Sequence, residues 1–225
     1  MADTVATIGA ARTLRQRLPL APDAAFDLAQ EFEFGGIEIA PIQRRSEIVR
    51  FLQLAAAEPP RTVLEIGTAE GGTLLLLSQA AGDDATVVAV DARDDTRSLR
   101  SYVRYRRRRH LFESFARRGQ RLVYLPLDSH SPATVERVRQ VFERRPVDLL
   151  FIDGDHSAAG VAADYEMYSP LVRPGGFIGF HDIVPGRPEA VGGVPEFWQR
   201  IKTDDAVEFV EGWDQGGAGI GVLQV

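Results

Sequence analysis

The 225-residue sequence contains no cysteine. That excludes disulfides, thiolate zinc sites and a cysteine nucleophile, and it fits a reducing compartment, so a cytoplasmic location is expected. No segment reaches the roughly 18–20 consecutive apolar residues of a membrane span. The first residues, MADTVATIGAARTLRQRLPL, carry Arg12, Arg15 and Arg17 where a secretory signal needs an apolar run. Positive charge is not in excess: 26 Lys and Arg stand against 32 Asp and Glu, a net charge of −6 that argues against a general nucleic-acid binder. Internal repeats and low-complexity tracts are lacking too. What remains is an ordinary globular balance, 44% hydrophobic and 26% charged, enough for one α/β domain with a short extension.

From about residue 61, short apolar runs alternate with longer helical ones. TVLEI (62–66), TVVAV (86–90), RLVYL (121–125), VDLLFI (147–152) and GFIGF (176–180) read as strands buried on both faces of a parallel sheet. Helices are expected over 72–81, 96–118, 131–143 and 158–171, the first two stopped by Gly82 and Gly119. Strands alternating with helices predict a doubly wound, Rossmann-like sheet. AVEFVE (206–211) and IGVLQV (220–225), joined by a Gly-rich turn, predict a closing hairpin. Residues 1–60 read as an N-terminal helical cap, notably 23–32 and 45–57, stopped by Pro59-Pro60. Residues 61–225 form the expected catalytic domain.

The strongest motif is VLEIGTAEGGTLLLL (63–77), a strand running through Gly67 and Thr68 to a helix that starts near Gly71-Gly72. Ligands of open α/β sheets bind at the carboxyl edge of the strands, next to the first one. A nicotinamide loop would read G-x-G-x-x-G, with a helix N-terminus facing a pyrophosphate. Here the spacing differs, and Glu65 precedes the first glycine. A carboxylate repels a pyrophosphate but suits an ammonium and a sulfonium, which points to S-adenosylmethionine. Asp91, followed by Ala92, ends the second strand where ribose hydroxyls would need an acceptor, and Asp128-Ser129 follow the third strand near the adenine. Acids at strand ends also serve as helix caps, so each alone is weak and the ordered series carries the reading.

FIDGDHS (151–157) ends the fourth strand with Asp153, Asp155 and His156, and GFHDI (179–183) ends the fifth with His181 and Asp182. In doubly wound order all five gather beside the cofactor. Crowded carboxylates need a compensating cation or proton. Asp153, His181 and Asp182 make an O/N ligand set for Mg2+, Mn2+ or Fe2+, and Asp153 also borders the cofactor. A divalent ion would acidify an acceptor hydroxyl, and His156 or Asp155 would take its proton, His156 being the better match near neutral pH. The bland alternatives are a solvent-facing His156 beside a helix cap and a His181 bonded to a backbone carbonyl.

LEIGTAEGGT, VVAVDAR, FIDGDHSAAGVAADYEMYSPLVRPGGFIGFHDI and GVPEFW resemble class I methyltransferases grouped with the cephalosporin-hydroxylase-like proteins and the metal-dependent natural-product sugar O-methyltransferases. The resemblance covers roughly residues 35–225 and is most specific over 151–183. It implies a seven-stranded sheet with an antiparallel last strand, S-adenosylmethionine as donor, a small hydroxylated acceptor, and a divalent metal in many members. In metal-dependent relatives, catechol O-methyltransferase among them, an acid after the fourth strand and an adjacent pair after the fifth hold the metal. Asp153 matches the first, His181 and Asp182 the pair, and the base falls in the segment holding Asp155 and His156. His181 stands where such members carry a carboxylate, a departure that tells against Mg2+ and leaves softer ions or no metal open.

Ten arginines crowd residues 97–121 against one acid, Glu113. They read as a solvated helix face, with Leu99, Tyr102, Leu111, Phe112 and Phe115 turned to the sheet. Recognition of an acidic substrate, or of an acidic surface on another subunit, is the alternative. PEFWQRIK (195–202) reads as a helix with Phe197 and Trp198 in the core, Trp213 as exposed or folded back, and Gln43 and Glu47 as candidates to approach the site. The expectation is an O-methyltransferase that self-associates, with no nucleic-acid or membrane partner. A metal-dependent hydroxylase and a catalytically inactive cofactor-binding subunit are the competing readings.

Overall fold

The computed structural model describes residues 2–92 and 99–225. Two helices, α1 (Ala2–Arg17) and α2 (Pro22–Glu31), precede a small hairpin of β1 (Glu33–Phe34) and β2 (Ile37–Glu38), and α3 (Arg45–Ala56) follows. The hairpin turns on Gly35 and Gly36, both at positive φ, a feature that sequence reading passed over. The alternating part then runs β3 (Thr62–Ile66), α4 (Gly72–Ala80), β4 (Thr86–Val90), α5 (Leu99–Glu113), β5 (Arg121–Leu125), α6 (Pro132–Val141), β6 (Val147–Ile152), α7 (Ala158–Tyr168) and β7 (Val172–His181). Short α8 (Pro188–Val191), α9 (Val194–Ile201), β8 (Val207–Phe209) and β9 (Ile220–Gln224) complete the order.

The main sheet is ordered β5-β4-β3-β6-β7-β9-β8. β3 pairs in parallel with β4 and β6, and β9 runs antiparallel to both β7 and β8. This is the doubly wound, seven-stranded sheet with an antiparallel last strand, the architecture of class I methyltransferases. Strand order reverses at β3, which opens the crevice where ligands bind in such sheets.

Alternate residues of each central strand feed opposite layers. Val63, Val87 and Ala89 pack with α1 to α5, whereas Leu64, Ile66, Val88 and Val90 pack with the α6, α7 and α9 side. Both faces are covered, so β3 and β4 read as mostly apolar runs. Three boundaries differ from expectation. β7 starts at Val172, because Arg173–Gly176 also extend along the sheet. α5 ends at Glu113 rather than 118, since Ser114 and Phe115 turn back on Leu111 and Phe112 through short-range bonds; its expected start at 96 lies outside the described residues. α7 gives way at Ser169-Pro170 to a single 3-10 turn. Of the residues expected to face the sheet, Leu111, Phe112 and Phe115 are buried and Tyr102 is exposed, while the side chain of Leu99 lies outside the described residues.

Candidate active site

The loop after β3 is the floor of the site. Gly67 sits at φ +84, and a Cβ there would lie 2.0 Å from the carbonyl oxygen of Asp153, so only glycine lets the β3 and β6 ends meet. The backbone N–H of Asp153 donates to the Ile66 carbonyl at 2.8 Å, and that of Gly67 to Val90 at 2.9 Å, tying three strand ends together. At Gly72 a Cβ would stand 2.4 Å from the Ile39 carbonyl and the Pro41 nitrogen. The stretch 39–43 therefore crosses directly over the start of α4. At Gly71, expected to touch the cofactor, a Cβ would meet the Phe112 ring.

A cavity of about 480 Å³ opens above this floor, within the usual size of small-molecule sites. Gly67, Thr68, Gly72, Asp91, Ala92, Asp128, Ser129, Asp153, Asp155 and His156 all line it. Pro41 and Ile42 form one rim, and Leu127 the other.

Glu65 lies beneath the floor rather than on the wall. It is fully buried, and neither carboxylate oxygen has a hydrogen-bond partner. Burial, reinforced by the nearby Asp153 and Asp91, drives its pKa well above the ordinary carboxylate value. The Thr68 hydroxyl is buried beside it. The Thr68 hydroxyl and the Arg108 charge offset that shift only in part, and an ammonium or sulfonium group would offset it further.

Asp91 is partly engaged by the loop itself: Oδ2 accepts the backbone N–H of Thr68 at 3.1 Å and of Ala69 at 3.0 Å. Arg108 reaches the same oxygen at 3.9 Å and donates to the Ala69 carbonyl, with its guanidinium 5.2 Å and 5.5 Å from the centres of the Phe112 and Tyr124 rings. This arginine is turned inward, against the solvated-face expectation; the aromatic residues around it were the available signal. Asp128 uses Oδ1 to accept the His130 N–H at 2.9 Å, and His130 in turn stands 3.3 Å from the buried Asp164, a pair that sequence reading missed.

At the reactive edge Asp153, His181 and Asp182 offer one ligand atom each, all within 4.8 Å of one another. Asp153 Oδ1 lies 3.2 Å from His181 Nδ1 and 3.3 Å from His156 Nε2. Asp182 Oδ2 lies 3.4 Å from His181 Nδ1 and 3.5 Å from His156 Nδ1, and its Oδ1 accepts the Ala218 N–H at 3.0 Å. Burial would raise the Asp153 carboxyl, but the two imidazoles hold it at about 2. Burial would lower His181, yet the two aspartates lift it to about 10. Bonding to Asp153, offset by burial and helped by the Ala190 carbonyl at 2.5 Å, lifts His156 to about 9. Two imidazolium ions thus balance two carboxylates. The donor set fits a divalent ion, because loss of those protons frees nitrogen and oxygen ligands together, and His181 Nε2 is buried without a partner. Asp155 faces away from this quartet: its Oδ1 accepts the Ser157 N–H at 2.9 Å, which lowers its pKa and shapes the start of α7.

Two residues of the N-terminal segment enter the site. Gln43 donates to Asp153 Oδ2 at 2.8 Å. Buried Glu47 accepts from Gln215 Nε2 at 2.7 Å and from the Gly219 N–H at 2.8 Å, so it anchors the 211–219 loop that touches Asp182. Trp213 in that loop is half exposed, with the Lys202 ammonium 5.9 Å from its ring centre.

A parallel sheet reversing at β3, with a glycine loop and an acid at each strand end, defines a class I methyltransferase fold. A family model described as "Methyltransferase domain" matches residues 64–183, more than half of the chain, and the protein belongs to that family. Solved structures with the same fold include an O-methyltransferase from Bacillus cereus in complex with SAH, at 21% identity and TM-score 0.55 over 96% of this chain and 91% of that one. Another is TomG from Streptomyces achromogenes, an O-methyltransferase of tomaymycin synthesis in complex with SAM, at 18% identity and TM-score 0.56 over 92% and 90%. No curated protein matches the sequence.

Proposed function

We propose that the protein transfers the methyl group of S-adenosylmethionine to a hydroxyl of a small molecule, with a divalent metal assisting. The observation that carries this is Glu65: a fully buried acid with Asp91 and Asp153 nearby, below a cavity of the right size. Such a negative floor suits a cationic donor and disfavours a dinucleotide pyrophosphate. In this reading Gly67, Thr68 and Gly72 admit the methionine part, Asp91 and Ala92 border the ribose, and Asp128 and Ser129 border the adenine.

The acceptor hydroxyl enters from the side of Ile42, Asp153 and His156. S-adenosylmethionine held there would supply an electrophilic methyl group for the acceptor oxygen, losing its carbon–sulfur bond, and His156 would take the hydroxyl proton. Asp153, His181 and Asp182 would hold a divalent ion, which would supply Lewis acidity to lower the acceptor pKa. His156 carries a proton in the free site, so it becomes a base only when incoming positive charge has driven that proton off. The rigid strand ends that hold Asp153 and His181 serve the in-line geometry the transfer needs. Self-association belongs to the same proposal: exposed Ile8 of α1 lines a surface groove with Tyr102 and Val103 of α5, beside Arg106 and Arg107, and a second copy would cover it. Ile8→Glu is expected to shift the sedimentation coefficient from dimer to monomer, and a monomeric parent chain would rule the contact out.

The deciding experiment is calorimetric titration with S-adenosylmethionine and with NAD+, followed by methyl transfer to a panel of catechol, sugar and polyketide alcohols. Binding of the sulfonium cofactor alone is expected, with turnover lost in Asp153→Ala and His156→Ala. NAD+ binding in its place would overturn the reading. The paired imidazoles also favour a second reading, Fe2+-dependent oxidation, because two histidines and a carboxylate suit that ion. Dioxygen consumption by the Fe2+-loaded protein, without methylated product, would select it.

A further inference from the structure

Gln43 lies two residues before α3 and is 3% exposed. Its carboxamide is engaged at both ends. Oε1 accepts the Thr73 hydroxyl at 2.6 Å, and Nε2 donates to Asp153 Oδ2 at 2.8 Å. The acceptor-only Asp153 sets which way the amide points, and the Thr73 hydroxyl, able to donate or accept, holds its other end in place. The other Asp153 oxygen is left to His156 and His181. The segment carrying Gln43 is itself pinned, because Gly72 lets Ile39 and Pro41 press onto the first turn of α4.

We propose that Gln43 is a positioning residue that orients the Asp153 carboxylate toward the two imidazoles, so that the N-terminal segment completes the reactive edge. The proposal rests on the reading of Asp153 as a site residue. A neutral donor suits the task for an electrostatic reason. An arginine or lysine there would orient Asp153 equally well but would cancel the charge that attracts a cation. The amide supplies direction and leaves the charge in place.

The chain has four histidines, so isotope-labelled imidazoles of the unliganded protein give a spectrum that can be assigned residue by residue. In Gln43→Ala and in the near-isosteric Gln43→Met, the His156 and His181 resonances are expected to move while those of His110 and His130 stay. Mn2+ affinity, read by electron paramagnetic resonance, is expected to weaken about 10- to 100-fold, the usual effect of losing a partner that orients a ligand. Thr73→Val, which keeps Gln43 but removes the anchor of its amide oxygen, should move the same two resonances by less. Unmoved His156 and His181 resonances in a folded Gln43 variant would overturn the proposal. If both Gln43 variants fail to fold, Thr73→Val decides it by the same criterion. Asp153→Asn separates the two levels. If it leaves Mn2+ and S-adenosylmethionine binding intact, the reading of Asp153 fails. If it abolishes Mn2+ binding while the Gln43 variants bind like the parent, only the positioning role fails.

Discussion

A carboxylate sealed beneath a loop of glycines binds its proton more tightly than an exposed one, and a nearby positive charge loosens that hold. Glu65 is such a group, and its raised pKa has two measurable consequences. The folded chain retains a proton that the unfolded chain releases, so the unliganded protein loses stability as pH rises above the ordinary carboxylate range. Glu65→Gln should flatten that dependence in urea titrations and weaken S-adenosylmethionine binding at least ~10-fold, about the effect of losing one charged hydrogen bond. Donor binding to the parent should also release protons, seen as a heat that depends on the buffer. The quartet around Asp153 behaves oppositely. His156 at about 9 and His181 at about 10 lend stability that is complete below the unfolded histidine value and disappears as pH climbs through 9 and 10. A metal must displace these protons, so Mn2+ affinity should increase steadily from pH 7 to pH 9. An affinity independent of pH would mean that the imidazoles do not ligate. All of these residues except Gln43 and His130 were legible from their place at strand ends. Their protonation was not, because it depends on distances between side chains 28 and 29 residues apart in sequence.

Between elements, close approach matters more than hydrogen-bond counts. Gly67→Ala puts a methyl group on the Asp153 carbonyl at a positive φ, and should destabilise by about 2–4 kcal/mol in denaturant unfolding while abolishing donor binding. The last hairpin is held by α9 through Trp198, whose indole N–H donates to Glu208 Oε1 at 2.6 Å and whose ring lies over Gly221. Trp198 is fully buried, so Trp198→Ala should cost about 3–5 kcal/mol. The strands β3 to β6 were readable residue for residue because burial in the sheet leaves mostly apolar runs, interrupted only by Thr62, Glu65, Thr86, Arg121 and Asp148. The start of β7 was not: Arg173-Pro174-Gly175-Gly176 looks like a turn, and is drawn into the sheet by the Val147–Val172 pairing and by Arg173 bonding Asp148 at 2.6 Å.

On the scale of the whole molecule, the N-terminal helices are part of the main core. Leu14, Phe26, Leu28 and Phe51 share one apolar cluster with Leu74–Leu77 of α4 and Val63 of β3. A chain starting at residue 58 should therefore fail to show cooperative unfolding by circular dichroism, since α4 would expose a face that α2 and α3 now cover. No helix among the described residues is long and apolar enough to cross a membrane. The alternation of elements, the glycine loop and the order of the strand-end acids were determined by the sequence alone, because each depends on local periodicity or on neighbours a few residues away. The covered state of Glu65, the inward turn of Arg108 and the reach of Gln43 to Asp153 were decided only by tertiary packing. Each joins groups separated by tens of residues, and only the closed sheet brings them within reach of one another's charge.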